Sequence, residues 1–290
     1  RAYYNEKGSS MLTVAHSSGN NRGITTTTSG SGYTSSFGGT SSASPLGAGI
    51  IGLMLDANPG LSWRDVNHIL VNTARKNHPS HGGWGVNPAG HDVNYNYGFG
   101  AMDAAAATAL AAAWTNVGPQ VIHDTGVQTV NRSIPDNDTT GITETLFVPD
   151  DITIEFVELI LNVDTTYVGD LEIKLTSPNG FNSILAEPRA DSNDDYNDYI
   201  FTSVRHWDES SQGTWSLRIS DEGAGDLATW EDWTLRIYGT DGGGGGAMVL
   251  STSPLQANQV GTFEVVNGDP NTSTHLYYGK RTGSTFVPAL

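Results

Sequence analysis

The sequence predicts a multidomain chain in which an α/β unit is followed by an antiparallel β-sandwich and then by a short β-rich tail. Three observations carry that expectation. The small-residue turn Gly38-Gly39-Thr40-Ser41-Ser42-Ala43-Ser44-Pro45 runs directly into the apolar stretch Leu46 to Leu55, the pattern of a helix in the middle of an α/β domain. From Gly118 the pattern changes to strand-length runs at short spacing, with turn residues between them. Gly242 to Gly246 are consecutive glycines, a flexible linker by composition.

Taken in order, Ser10 to Ala15 reads as a short strand-like alternation, and the Thr/Ser/Gly-rich Ser17 to Ser36 as connecting loop, with His16, Asn20 and Arg22 as solvated polar residues. Residues 41–56 form the first helix, apolar nearly all round and therefore expected to be buried. Asn58-Pro59-Gly60 stops it. Ser62-Trp63-Arg64-Asp65 is a capping box, in which serine and carboxylate each satisfy a backbone N–H of the other, and it opens a second helix to about Thr73. His68 on that helix reads as a surface or packing residue. Residues 76–97 are loop; their His78, His81 and His91 lack the further ligand at helix spacing that a zinc site needs. Asp103 to Ala113 is an alanine-rich helix closed by Trp114.

Beyond Gly118 the expected strands are Gln128 to Ser133, Glu144 to Val148, Ile154 to Val163, Leu171 to Leu175, Tyr199 to Val204, Thr214 to Ser220 and Trp230 to Tyr238. Val157, Leu159, Leu161 and Val163 share one face at a period of two, as sandwich strands require. After the glycine run, Thr262 to Val266 and His275 to Tyr278 are strand-like, but residues 247–290 are too few to bury a self-sufficient core.

Composition narrows the partners. The 290 residues carry a net charge of −17, and residues 115–240, with 23 of the 31 acidic and 6 of the 14 basic side chains, account for all of it. An acidic module beside a neutral one argues against nucleic acid or an anionic membrane and suits a cation or a basic substrate. Cysteine is absent, so no disulfide contributes. The longest apolar run, Ile50 to Leu55, is too short to span a bilayer, and Arg1 to Lys7 has no apolar core of a signal peptide.

Ser41 is the residue that carries chemistry. A hydroxyl at the mouth of a helix meets free backbone N–H groups and the positive end of the helix dipole, where the oxyanion of an acyl-transfer intermediate is stabilised. A serine ahead of a helix is also the commonest N-cap, and the two roles are compatible. The Gly-x-Ser-x-Gly elbow of α/β-hydrolases does not fit, because Ala43 stands where its second glycine belongs.

Gly39-Thr40-Ser41-Ser42-Ala43-Ser44-Pro45 resembles the nucleophile motif of the subtilisin-like serine endopeptidases. Ala48-Gly49-Ile50-Ile51, Leu55-Asp56-Ala57-Asn58 and Leu61-Ser62-Trp63-Arg64-Asp65-Val66 resemble the kexin/furin branch, and Tyr95 to Ala104 the end of its catalytic domain. Ile134-Pro135-Asp136-Asn137-Asp138, Gly169-Asp170-Leu171, Ser177-Pro178-Asn179-Gly180 and Gly213-Thr214-Trp215-Ser216-Leu217 resemble the P/Homo B domain that follows it. The resemblance implies that residues 1–114 are the C-terminal part of an α/β subtilisin-like domain and 115–240 an all-β jelly-roll sandwich, with 241–246 as linker and 247–290 as a truncated β-rich module. It makes Ser41 the nucleophile of a secreted or extracellular endopeptidase acting on protein or peptide substrates.

The same resemblance places the catalytic Asp and His, in the order Asp, His, Ser, upstream of the nucleophile. Neither His16 nor His81-Gly82-Gly83 has the context of the family's histidine, so both partners are expected in a preceding part of the domain, and residues 1–290 alone are expected to be inactive. The acid-rich Asp191 to Asp198, with Asp191, Asp194 and Asp195, offers hard oxygen ligands for calcium together with Asp170 or Asp221. The competing expectation is a non-catalytic binding protein whose P domain holds a protein or carbohydrate partner.

Overall fold

The computed structural model describes residues 2–242, 251–252, 261–266 and 273–278. Residues 1–240 form one compact unit and 241–290 a second.

The unit begins with an antiparallel hairpin, β1 (Ile24–Thr27) and β2 (Tyr33–Phe37). It lies inside the stretch expected to be loop. Its strands are hydroxyl-rich rather than apolar, so hydrophobic alternation does not reveal them, although β-branched Ile24 to Thr27 suit an extended backbone. The reverse holds for Ser10 to Ala15, where Val14 forms only an isolated bridge to Ala101.

Helix α1 spans Thr40–Ala57 and α2 Trp63–Thr73, the latter opened by the capping box of Ser62 and Asp65. A two-residue hairpin, β3 (Gly85–Val86) and β4 (Asp92–Val93), precedes α3 (Ala104–Ala112), which Asp103 caps. Ile50 and Met54 of α1, Val66, Ile69 and Leu70 of α2, and Ala107 and Ala111 of α3 form one core. Helix α1 departs from expectation here. It is not buried all round: Leu46 and Leu53, seven residues apart on one face, and Leu55 on the opposite face are all exposed.

The sandwich has two sheets. One runs β10 (Asn182–Ala186), β9 (Leu171–Thr176), β12 (Gly213–Asp221), β7 (Asp138–Val148). The other runs β11 (Tyr196–Ser203), β8 (Ile152–Thr165), β13 (Ala228–Asp241), β5 (Gln120–Asp124), with β6 (Gln128–Ile134) also paired to β13. Alternate residues meet between the sheets: Val157, Leu159, Leu161 and Val163 from one, Leu171, Ile173, Leu175, Trp215, Leu217 and Ile219 from the other. Strands β5 and β10 have no counterpart in the sequence expectation; each is short, and only one side of it reaches the core.

The helical part and the sandwich lock together through buried polar groups. Glu155 of β8 accepts hydrogen bonds from Arg64 Nε at 2.8 Å and Nη2 at 2.6 Å, and lies 2.8 Å from His68 Nε2. Asp65 accepts from Trp114 Nε1 at 2.9 Å and the Val117 N–H at 2.7 Å, so one carboxylate caps α2 and holds the connection into β5. Burial works to raise the Glu155 pKa, but the hydrogen bonds from His68 and Arg64 outweigh it and hold the carboxyl below its ordinary value. Desolvating such a set costs several kcal/mol per ion, so its effect is mainly to fix how the two parts dock, while removal of one member leaves the others uncompensated. Alongside, the Arg205 guanidinium lies 3.7 Å from the centre of the Tyr95 ring, and Trp207 packs with Val71, Val93 and Phe99.

In the second unit, β14 (Ser251–Thr252), β15 (Gly261–Val266) and β16 (Ser273–Tyr278) form an antiparallel sheet in that order. The expected linker lies, apart from Asp241 and Gly242, outside the described residues.

Candidate active site

Gly39 is the N-cap of α1 and has φ 73°, a conformation that favours glycine, and it lets the chain turn sharply into the helix. Ser41 is therefore not the cap but the second helical residue. No side chain caps α1, and the Ser42 N–H bonds the Gly39 carbonyl at 3.2 Å, which leaves the N–H groups of Thr40 and Ser41 as donors of the first turn without a partner among the described residues. Pro45 adds a second local irregularity: lacking an N–H, it cannot bond the Ser41 carbonyl four residues back.

The turn is fixed from behind. Ser42 is buried, with its hydroxyl 2.8 Å from Ser17 Oγ and 3.0 Å from the Gly39 carbonyl. Ser17 also donates to that carbonyl at 2.5 Å, and Ser18 Oγ accepts the Gly39 N–H at 3.2 Å. Tyr4 completes the lattice, its hydroxyl 2.9 Å from Ser17 Oγ and 3.0 Å from Ser18 Oγ, and these contacts hold the phenol pKa below its ordinary value. Ser41 itself is exposed. A cleft of about 900 Å³ opens beside it, lined among others by Tyr4, His16, Ser17, Ser36, Thr40 and Ala43.

The sequence singled out Ser41 but not Tyr4, Ser17 or Ser18, which lie 13 to 25 residues from their partners and leave no local pattern. His16 borders the cleft, exposed. The other histidines of this part are engaged elsewhere: His78 with the Tyr97 hydroxyl at 3.1 Å, His81 accepting the Gly83 N–H at 3.1 Å, and His91 with Asp208 at 2.8 Å.

The five carboxylates expected to share calcium do not gather in one place. Asp191 is bound by Arg189 at 2.6 Å, Asp195 accepts the Thr165 N–H at 2.8 Å, and Asp194 is exposed. Asp170 and Asp221 do adjoin at Gly223, and the Asp170 charge helps to raise the Asp221 carboxyl above its ordinary pKa, after burial. Among the described residues no three carboxylates or imidazoles already stand arrayed as a metal centre.

Residues 3–100 match the subtilase family and residues 154–237 the proprotein convertase P-domain. Human furin is 38% identical over 248 residues, covering 82% of this chain and 31% of furin. Protease KEX1 of Kluyveromyces lactis is 32% identical over 244 residues, covering 81% of this chain and 32% of that protein. The crystal structure of the Aeromonas sobria serine protease superposes with a TM-score of 0.63 at 26% identity, over 72% of this chain and 45% of that one. A subtilase segment followed by a P-domain sandwich defines the class. The chain belongs to the kexin- and furin-like branch of the subtilases. It spans about a third of the length of these curated relatives.

Proposed function

We propose that the chain is a segment of a secreted serine endopeptidase that hydrolyses peptide bonds through an acyl-enzyme on Ser41. The supporting observation is the exposed Ser41 beside unclaimed N–H groups at the start of α1, on a turn immobilised by Tyr4, Ser17, Ser18 and Ser42. In this reading Ser41 Oγ attacks the scissile carbonyl, and its proton passes to a histidine held by an aspartate, both in a preceding part of the catalytic domain. The Ser41 N–H donates to the oxyanion. Collapse of the intermediate expels the amine, which takes the proton from the imidazole, and water then releases the acyl group. The sandwich, jelly-roll in its connections, buttresses α2 through Glu155. In the same reading the family's calcium requirement extends to the complete protease.

The test is active-site labelling of the protein extended through the preceding catalytic segment. A fluorophosphonate is expected to modify Ser41, and Ser41→Ala to abolish the label. Folded protein that takes no label overturns the assignment and favours a non-catalytic carrier of the P-domain.

A further inference from the structure

Among the described residues that line the cleft beside Ser41, one is a lysine, arginine, aspartate or glutamate: Arg22. Its place is set by the backbone. Gly19-Asn20-Asn21-Arg22 is a tight turn in which the N–H groups of Gly19 and Arg22 each bond the other's carbonyl at 2.9 Å, with Asn20 and Asn21 at φ 47° and 60°. Positive φ at both central residues is the mark of a type I′ turn, and asparagine enters that region more readily than other residues with a side chain. On one flank Ser18 accepts the Gly39 N–H, and it stands so close to Gly38 that a Cβ there would overlap its hydroxyl. On the other flank Gly23 lies against Ser35 and Ser36 of β2, where a Cβ would fall 2.4 Å from the Ser35 carbonyl oxygen. The turn that carries Arg22 is thus pinned on both sides to the chain leading into Ser41.

The charge there is unspent. Arg22 is exposed, and among the described residues it has no ion-pair partner. The other described arginines are engaged: Arg64, Arg75, Arg132, Arg189, Arg218 and Arg236 pair with carboxylates, and Arg205 stacks on Tyr95. Around Arg22 the cleft wall is hydroxyl and amide, from Ser17, Ser18, Asn20, Asn21, Ser35 and Ser36, which can hydrogen-bond but cannot neutralise it. A guanidinium offers its donors as a planar fork that fits a carboxylate with two parallel hydrogen bonds. Within a walled cleft such a charge is screened less than on an open surface, and it acts on whatever chain lies alongside.

We propose that Arg22 is a specificity-determining residue: it favours peptides with an acidic side chain at one position close to the scissile bond and disfavours a basic side chain at that same position. The proposal rests on the reading of Ser41 as the nucleophile. A peptide whose carbonyl lies at Ser41 carries its neighbouring side chains past the Gly19 to Arg22 turn, because that turn is tied to Gly38 and Gly39 through Ser18. An aspartate or glutamate there meets the guanidinium fork, and a lysine meets a like charge. The effect is a difference in kcat/KM between competing substrates, since the pair forms with one and is replaced by repulsion with the other.

The experiment uses the protein extended through the preceding catalytic segment, with peptide libraries that carry Glu, Gln or Lys at each position flanking the scissile bond. At one position the wild type is expected to cleave the Glu peptide with a kcat/KM about fivefold above that of the Lys peptide at low salt. The ratio should shrink as salt rises, because the pair is partly open to solvent. Arg22→Gln should bring the ratio at that position close to one, and Arg22→Glu should invert it. Lys174→Glu, the same charge change made on β9 of the sandwich, should keep the wild-type ratio. Fluorophosphonate labelling of Ser41 is read on every variant alongside. Labelled Arg22→Glu protein whose Glu/Lys ratio differs from the wild type by less than about twofold at every position overturns the role of Arg22 while leaving Ser41 as nucleophile. A shift as large in Lys174→Glu as in Arg22→Glu overturns it as well, since net charge would then suffice. Folded wild type that takes no label overturns both readings.

Discussion

Glu155 and Asp221 are both shut away from solvent, 2% and 1% exposed, yet their surroundings drive them in opposite directions. Burial works to raise both carboxyls. At Glu155 the hydrogen bonds from His68 and Arg64 reverse that push, whereas at Asp221 the single Gly223 N–H is opposed by three further carboxylates. The difference teaches that burial does not decide whether an acid stabilises a fold. What decides is whether donors and counter-charge arrive with the burial. One acid is a finished joint between helix and sandwich, and the other is held among like charges.

The largest effect should come from breaking the finished joint. Glu155→Ala leaves the Arg64 guanidinium and its neighbour His68 buried without their acceptor. The expected loss is about 3–5 kcal/mol in denaturant unfolding of the chain. Glu155→Gln, which keeps an acceptor oxygen, should lose less. A loss under about 1 kcal/mol for the alanine variant would show that the docking of α2 on β8 does not depend on this cluster.

Asp221→Asn should stabilise the sandwich, because the buried carboxylate stands among Asp170, Asp136 and Asp226. In chelator the amide removes a charge from a cluster of like charges, so thermal stability rises, by on the order of 1 kcal/mol. A variant less stable than wild type in chelator would mean that the Asp221 charge is already compensated.

The acids also separate by pH. Glu155, its folded pKa depressed, binds fewer protons folded than unfolded; its contribution is present above the ordinary carboxylate pKa and is lost as pH falls through the lower folded value. Asp170 and Asp221, raised, hold more protons folded than unfolded, so in chelator stability falls as pH climbs from the ordinary carboxylate pKa through the raised values. Unfolding curves in chelator should show that decline in the wild type, and a smaller one in Asp170→Asn.

How much of this was legible in the sequence depended on the range over which residues act. The α2 capping box spans Ser62 to Asp65, and the period of two in β8 spans adjacent residues, so both could be read directly. Ser41 stood out because its turn is one contiguous motif. The lattice behind it joins Tyr4, Ser17 and Ser42 across the cleft wall, and the carboxylate cluster joins Asp136, Asp170, Asp221 and Asp226 across loops. Neither has a spacing to find. Contiguity misled in the second case: Asp191 to Asp198 is the densest acidic run, yet Asp191 is spent on Arg189. The β1/β2 hairpin was missed for a related reason, since Thr and Ser in a solvated hairpin carry no apolar period.

The smallest effect lies on the outer face of α1. Leu53 is 52% exposed, whereas Met54, one residue on, is fully buried against α2 and α3. Leu53→Gln should therefore change the stability of residues 1–290 by no more than about 0.5 kcal/mol in denaturant unfolding. If further subtilase chain packs on this face, as the proposed function requires, the same substitution in the extended protein buries a polar amide among apolar groups. The cost should then rise to about 2 kcal/mol or more. Equal, small effects in both proteins would leave the leucine face of α1 uncovered, and the serine at its head without the preceding segment that is to supply its base.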